Sequence, residues 1–106
     1  MEIKKNIRVG DRIRFVDFVC DMCEKDGKQY YALFDYAWRI AVITFFAPEA
    51  ELDKMDTDEM CDFVYSRQGI EIVEDPDIAV ITAGLYEACE AEMKDRKEKY
   101  MKVFDA

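Results

Sequence analysis

The sequence predicts an all-α fold: a small four-helix domain that ends in a long C-terminal helix. Three observations carry this. Apolar residues recur at three- and four-residue steps through the first and last segments, whereas strict alternation is nowhere sustained. Half of the residues are apolar, 13% are aromatic, and four Gly and two Pro in 106 residues leave room for a compact core rather than a disordered chain. Capping signatures stand before two of the apolar stripes, at Asp56 and at Asp75-Pro76. The length suits a single domain over residues 1–106, with 94–106 as a protruding or frayed helix end. The alternative is an α+β fold with an N-terminal hairpin. "IRVGDRIRFV" reads as two short strands around Gly10-Asp11, "KDGK" suits a hairpin turn, and "IAVITFF" is rich in strand formers.

The first helix is expected to start from Asp11 as N-cap. Ile13, Val16, Cys20 and Cys23 follow at helical steps, with Phe15, Val19 and Met22 widening the stripe. "EKDGK" breaks the pattern, and Gly27 suits the left-handed conformation of a helix end. Residues 29–47 are apolar nearly all round and form the buried central helix, on which Asp35 and Arg39, four apart, can pair; Pro48 stops it. Asp56 with Glu59 opens a short helix that turns Met60, Cys61, Val64 and Tyr65 inward and closes at Gly69, after which "IEIV" is a brief extended or turn segment. Asp75 then caps a last helix, with Ile78, Ile81, Leu85, Cys89 and Met93 along one face and acid-before-base pairs four apart beyond Met93. Such a helix spans about 27 residues, roughly 40 Å. That length outruns a compact body, so Tyr100, Met101, Val103 and Phe104 near its tip are a candidate interface, with fraying as the plainer account.

The charge is uneven. The net charge is -9, and residues 48–77 alone hold eleven acids against Lys54 and Arg67, so they carry the whole imbalance. Residues 1–14 lean basic. The candidate partner-binding acidic face is Glu49, Glu51, Asp53, Asp56, Asp58, Glu59, Asp62, Glu71, Glu74 and Asp75. A solvated face that keeps the protein dissolved is the plainer account; the functional one is docking on a basic protein surface. Direct nucleic-acid binding is disfavoured, since phosphates call for clustered Lys and Arg in excess over acids.

The chain has no histidine, one serine and one asparagine, and no two glycines close enough to cradle a phosphate. Ser-His and Cys-His nucleophilic pairs, histidine metal sites, Walker loops and dinucleotide fingerprints are thereby excluded. No catalytic residue, cofactor-binding residue or metal ligand is predicted. The CxxC pair at Cys20 and Cys23 is the one motif that suggests otherwise. A structural zinc needs four ligands, and Cys61 and Cys89 are singletons on separate elements. A redox CxxC wants its first cysteine exposed at a helix N-terminus, whereas Cys20 lies mid-helix among Asp17, Asp21 and Glu24. All four cysteines fall on apolar stripes and are expected as core packing. "DKMDTDE" lacks the spacing of a calcium loop and reads as a capped helix start. No window approaches eighteen uncharged apolar residues and no secretory leader is recognisable, so an intracellular, non-membrane protein with reduced thiols is expected.

The run "RFVDFVCDMCEKDGKQYYALFDYAWRIAVITFFA", an acidic link and "MCDFVYS" together resemble small acidic helical proteins encoded by bacteriophages and prophages. The positions that carry the resemblance are Val16, Val19, Cys23, Asp26, Gly27, Ala32, Leu33, Asp35, Ala37, Arg39 and Phe63 to Tyr65, over about two thirds of the chain. The sequence departs from that pattern at "KQYY", where the pattern carries a proline, and the C-terminal third has no counterpart. The resemblance implies an all-α fold and a phage origin, hence a place in the bacterial cytoplasm or the virion, and it supplies no catalytic residue. Two functions are then expected. One is a non-enzymatic protein-binding module in virion assembly or structure, associating with virion components or with itself. The other is an anti-CRISPR-like inhibitor whose acids imitate nucleic-acid phosphates and block a basic host defence nuclease.

Overall fold

The computed structural model describes residues 2–105, with side chains for residues 2–99. Among these, the fold is carried by five α-helices: α1 (Val9–Cys23), α2 (Phe34–Phe46), α3 (Thr57–Val64), α4 (Arg67–Val73) and α5 (Pro76–Asp105). The only described sheet is a two-strand ribbon, β1 (Glu24–Lys25) with β2 (Lys28–Gln29). The all-α class and the long last helix are as the sequence predicts. The helix count exceeds the predicted four by one, because the stretch expected as a brief extended segment is helix α4.

Three local corrections have physical causes. α1 begins two residues before the expected cap: Arg8 precedes it in extended conformation with no side-chain cap. The N-terminal strap sets this start, for the Lys4 N–H donates to the Phe46 carbonyl at 2.7 Å, and Ile3 and Ile7 pack on the core. Asp11 instead occupies the first turn, where the helix dipole favours a carboxylate, and pairs with Arg14 at 2.8 Å. The hydrogen bond from Arg14 holds the Asp11 carboxyl below its ordinary pKa.

The hairpin of the alternative fold is not at Gly10, which is helical; a short one forms at the "KDGK" turn. Asp26 and Gly27 both take positive φ, 53° and 74°, the pair of left-handed residues that a two-residue hairpin turn requires. A 3-10 turn at Tyr31–Leu33 then delays the start of α2 to Phe34.

Gly69 does not close α3. It lies inside α4, and a Cβ there would run into the Phe63 carbonyl and the Val64 backbone. Its missing side chain lets α4 fold tightly back on α3. Ser66 makes the joint: its hydroxyl donates to the Phe63 carbonyl at 2.6 Å and accepts from the Gly69 N–H at 3.2 Å.

α2 is the central element, packed against α1 on one side and α3 and α4 on the other, with Ala37, Ile40, Ala41, Val42, Ile43 and Phe46 buried. α5 lies along α1 and buries Ile78, Leu85, Cys89 and Met93, the face expected for it. An aromatic chain ties the three helices together. Phe15 of α1 meets Trp38 edge-on at 5.2 Å, and Trp38 meets Tyr86 of α5 at 5.3 Å, in the tilted geometries that aromatic quadrupoles favour. No helix among the described residues is long and apolar enough to cross a membrane.

Candidate partner-binding face

The turn after α2 builds the acidic face. Pro48, which has no N–H to continue the helix, opens a 3-10 turn, and Glu51 then takes a left-handed conformation at φ 52°. That reversal tucks Leu52 into the core and leaves Glu51 and Asp53 at the surface. Beside them opens an apolar cavity of about 380 Å³. Its walls come from Phe18 of α1, Ile40 and Thr44 of α2, Pro48 and Leu52 of the turn, and Met60 of α3, and Glu51 and Asp53 stand among its lining residues. The arrangement joins an apolar hollow to a negative rim.

The predicted acids divide by what they already do. Asp56 and Glu59 form a reciprocal capping box on α3: the Glu59 N–H donates to Asp56 Oδ1 at 2.8 Å and the Asp56 N–H to Glu59 Oε1 at 3.4 Å. Asp75 caps α5, accepting the Asp77 and Ile78 N–H groups at 2.9 and 3.2 Å, with Lys5 at 3.6 Å. Those backbone donors, the Ile78 N–H first, hold the Asp75 carboxyl below its ordinary range. Glu49 accepts the Glu2 N–H, Glu51 pairs with Lys54 at 3.3 Å, and Glu71 pairs with Arg67 at 3.2 Å. Asp53, Asp58, Asp62 and Glu74 are exposed and make no ion pair among the described residues. The structure therefore gathers Glu51 and Asp53 at the cavity. It sets Glu71, Glu74 and Asp75 on a different element, α4 and its end. The side chains of Tyr100, Met101, Val103 and Phe104 lie outside the described residues.

Beside α3 lies a polar cluster that the sequence showed only in part. Arg39 Nε donates to Asp35 Oδ2 at 3.0 Å, the pair expected from their spacing. Tyr65 adds to it unannounced: its hydroxyl donates to the same oxygen at 2.9 Å, and the Arg39 guanidinium lies 4.9 Å over its ring. Burial, and after it the nearby Cys61 thiol, push the Tyr36 hydroxyl up to about 12. Tyr36 therefore stays protonated and supplies no anionic oxygen near neutral pH.

Three of the four cysteines are packing residues, whereas Cys61, expected in the core with them, is only half-buried. Cys20, Cys23 and Cys89 are fully buried, and Cys20 Sγ sits 3.6 Å from the Cys89 carbonyl. Burial pushes the Cys20 and Cys89 thiols up to about 12 and raises that of Cys23. All four cysteines are free thiols. Among the described residues no group of three or more Cys, Asp or Glu is placed to hold a metal ion.

The residues that sequence reasoning missed are the cavity walls. Met60 reads as part of a helical stripe, Phe18 and Thr44 are singled out by no pattern, and only the folded turn at Glu51 sets the three around one hollow. No protein-family model matches the chain, and neither does any curated protein or any solved structure.

Proposed function

We propose that the protein is a non-enzymatic binding module whose acidic face takes a basic partner protein. The observation that carries the reading is the apolar cavity with Glu51 and Asp53 at its rim. Binding energy at protein interfaces concentrates where an apolar anchor fills a pocket and polar groups surround it. An anchor side chain flanked by Lys or Arg would place its apolar part in the hollow and its charge against the two carboxylates. The phage-protein resemblance supports virion assembly as the setting, with a virion component as the partner.

A second reading rests on a separate observation. Asp53, Asp58 and Asp62 are exposed and make no ion pair among the described residues, as suits carboxylates that imitate phosphates for a basic host nuclease.

One capture experiment from phage-infected lysate tests both. It compares the parent protein, a variant with Asp53, Asp58 and Asp62 changed to Lys, and Thr44→Trp, which fills the cavity from an exposed position. A virion protein lost with either variant and only weakened by salt supports the assembly module. A basic nuclease lost with the lysine variant and at high salt, yet retained by Thr44→Trp, supports the inhibitor. Partners retained unchanged by both variants overturn both readings and leave the acidic face as solvation.

A further inference from the structure

A second groove, between α1 and α5, shares no residue with the acid-rimmed cavity. Its walls are Ile13 and Val16 on α1 and Gly84, Leu85, Ala88 and Ala91 on α5. Around it the surface is apolar where a solvated helix face would be polar. Val9, Ile13 and Val80 are 76, 62 and 78% exposed, and Gly84, Ala88 and Ala91 are exposed too. Scattered apolar residues need no explanation, but a contiguous patch across two helices marks an interaction surface.

Gly84 points the same way independently. It stands inside a 30-residue helix, where glycine is disfavoured, and a Cβ built on it would meet nothing within 4 Å. The chain's own packing therefore does not require a glycine there, in contrast to Gly69. A bare backbone facing open space suits the close approach of something outside the chain.

The charges along the groove say what that is. Lys5 pairs with Asp77 at one end and Arg96 with Asp17 and Asp21 at the other, so α1 and α5 run parallel. Arg12 lines the groove and makes no ion pair among the described residues. About 7.5 Å further along α1 stands Asp17. There Asp17, Asp21 and Glu92 converge on the single Arg96 guanidinium, which leaves that end net acidic. The lining of the groove thus carries a cation, Arg12, at one end, apolar residues in the middle and the acids Asp17 and Glu92 at the other. A surface with both halves of a complementary pattern pairs with itself across a two-fold axis.

We propose that this groove is an isologous interface on which a second copy of the chain docks antiparallel, setting Arg12 of each copy against Asp17 of the other. The axis passes midway between Arg12 and Asp17, between Ile13 and Val16 on α1 and near Ala88 on α5, where the small residues Gly84, Ala88 and Ala91 let the α5 helices approach. This pairing is independent of the acidic face and leaves the cavity at Glu51 free.

Sedimentation equilibrium over about 1 to 500 µM tests the proposal, a range that brackets weak to moderate self-association. The expected result is a concentration-dependent monomer–dimer equilibrium. Ile13→Asp and Val80→Asp, at exposed positions, should each weaken it at least about tenfold with unchanged circular dichroism. Gly84→Leu should weaken it likewise without lowering the monomer's melting temperature, which a merely structural glycine would not allow. Arg12→Glu and Asp17→Lys should each be monomeric alone, and their mixture should form a heterodimer that restores both opposite-charge contacts. A monomer throughout the range, a dimer that survives both aspartate variants, or a mixture that stays monomeric overturns the proposal.

Discussion

Arg96 Nη1 lies 2.7 Å from Asp21 Oδ1, an ion pair that joins α5 to α1 across 75 positions of sequence. The same guanidinium reaches Asp17, Glu24 and Glu92 at 3.4, 3.6 and 3.1 Å, and its side chain is only 16% exposed. Burial opposes its charge, but the carboxylates of Asp21 and Glu92 outweigh burial and hold Arg96 above its ordinary pKa. The cation is what allows these acids to sit together.

Arg96→Ala should therefore cost about 1.5–3 kcal/mol, the range for hydrogen bonds to charged groups, read as a lowered urea midpoint. The loss should exceed that of Lys99→Ala, whose exposed pair with Asp95 is worth little. High salt should restore part of the loss by screening the carboxylates from one another. An Arg96→Ala midpoint equal to the parent's refutes the clamp.

The two buried-versus-open glycines should respond in opposite directions. Gly69→Ala forces α3 and α4 apart and should destabilise by about 1–3 kcal/mol, as overpacking does. Gly84→Ala removes a helix-interior glycine from open space and should stabilise the dilute protein by about 0.5–1 kcal/mol. Thermal melts at low concentration read both signs.

What was legible in the sequence is local, and what was missed is long-range. The capping box of Asp56 and Glu59 and the Asp35–Arg39 pair follow from three- and four-residue spacing, which helix geometry converts directly into contact. The buried cysteine stripe follows from periodicity in the same way. Asp11 was misread as a cap because the true start of α1 is set by Lys4 binding Phe46, a contact no local window contains. Gly69 was misread as a stop because a glycine that ends a helix and one that admits a neighbouring backbone look alike in one dimension. The cavity at Glu51 and the ends of Arg96's reach needed several elements in place before either existed.

Alkaline pH should weaken the fold through its thiols. The Cys20 and Cys89 thiols are raised from an ordinary 9.0 to about 12, so the folded state keeps protons that the unfolded chain releases. Stability is then fully present below about pH 9 and falls as pH climbs from there toward 12. Cys89→Ala should flatten that fall in urea titrations at successive pH values. At pH 8 the native protein should react with a thiol reagent at Cys61, which is half-buried, and expose all four cysteines only in denaturant.

Acid should act at the α4–α5 joint. Asp75 titrates below its ordinary 3.8 because it accepts the Ile78 and Asp77 N–H groups and faces Lys5. A depressed carboxyl stabilises the fold above the unfolded value and loses that contribution as pH falls through the folded one. Asp75→Ala should lower the melting temperature at pH 7 and make it less sensitive to acid below about pH 4 than the parent's.

The acidic face separates folding from binding residue by residue, and that separation is measurable. Asp56→Ala removes an N-cap and should cost about 1 kcal/mol, because the Glu59 N–H of α3 loses its partner. Asp53→Asn and Asp62→Asn remove exposed carboxylates that make no ion pair among the described residues and should change stability by less than about 0.5 kcal/mol. A binding defect in Asp56→Ala is therefore ambiguous, while one in Asp53→Asn reports the interface alone. Reversing Asp56 and Glu59, the charges that stand out most in "DKMDTDE", would damage α3 before it tested any partner. A urea midpoint for Asp53→Asn well below the parent's would show that the carboxylate holds the Glu51 turn together, and its role in binding would have to be reassigned to Asp62.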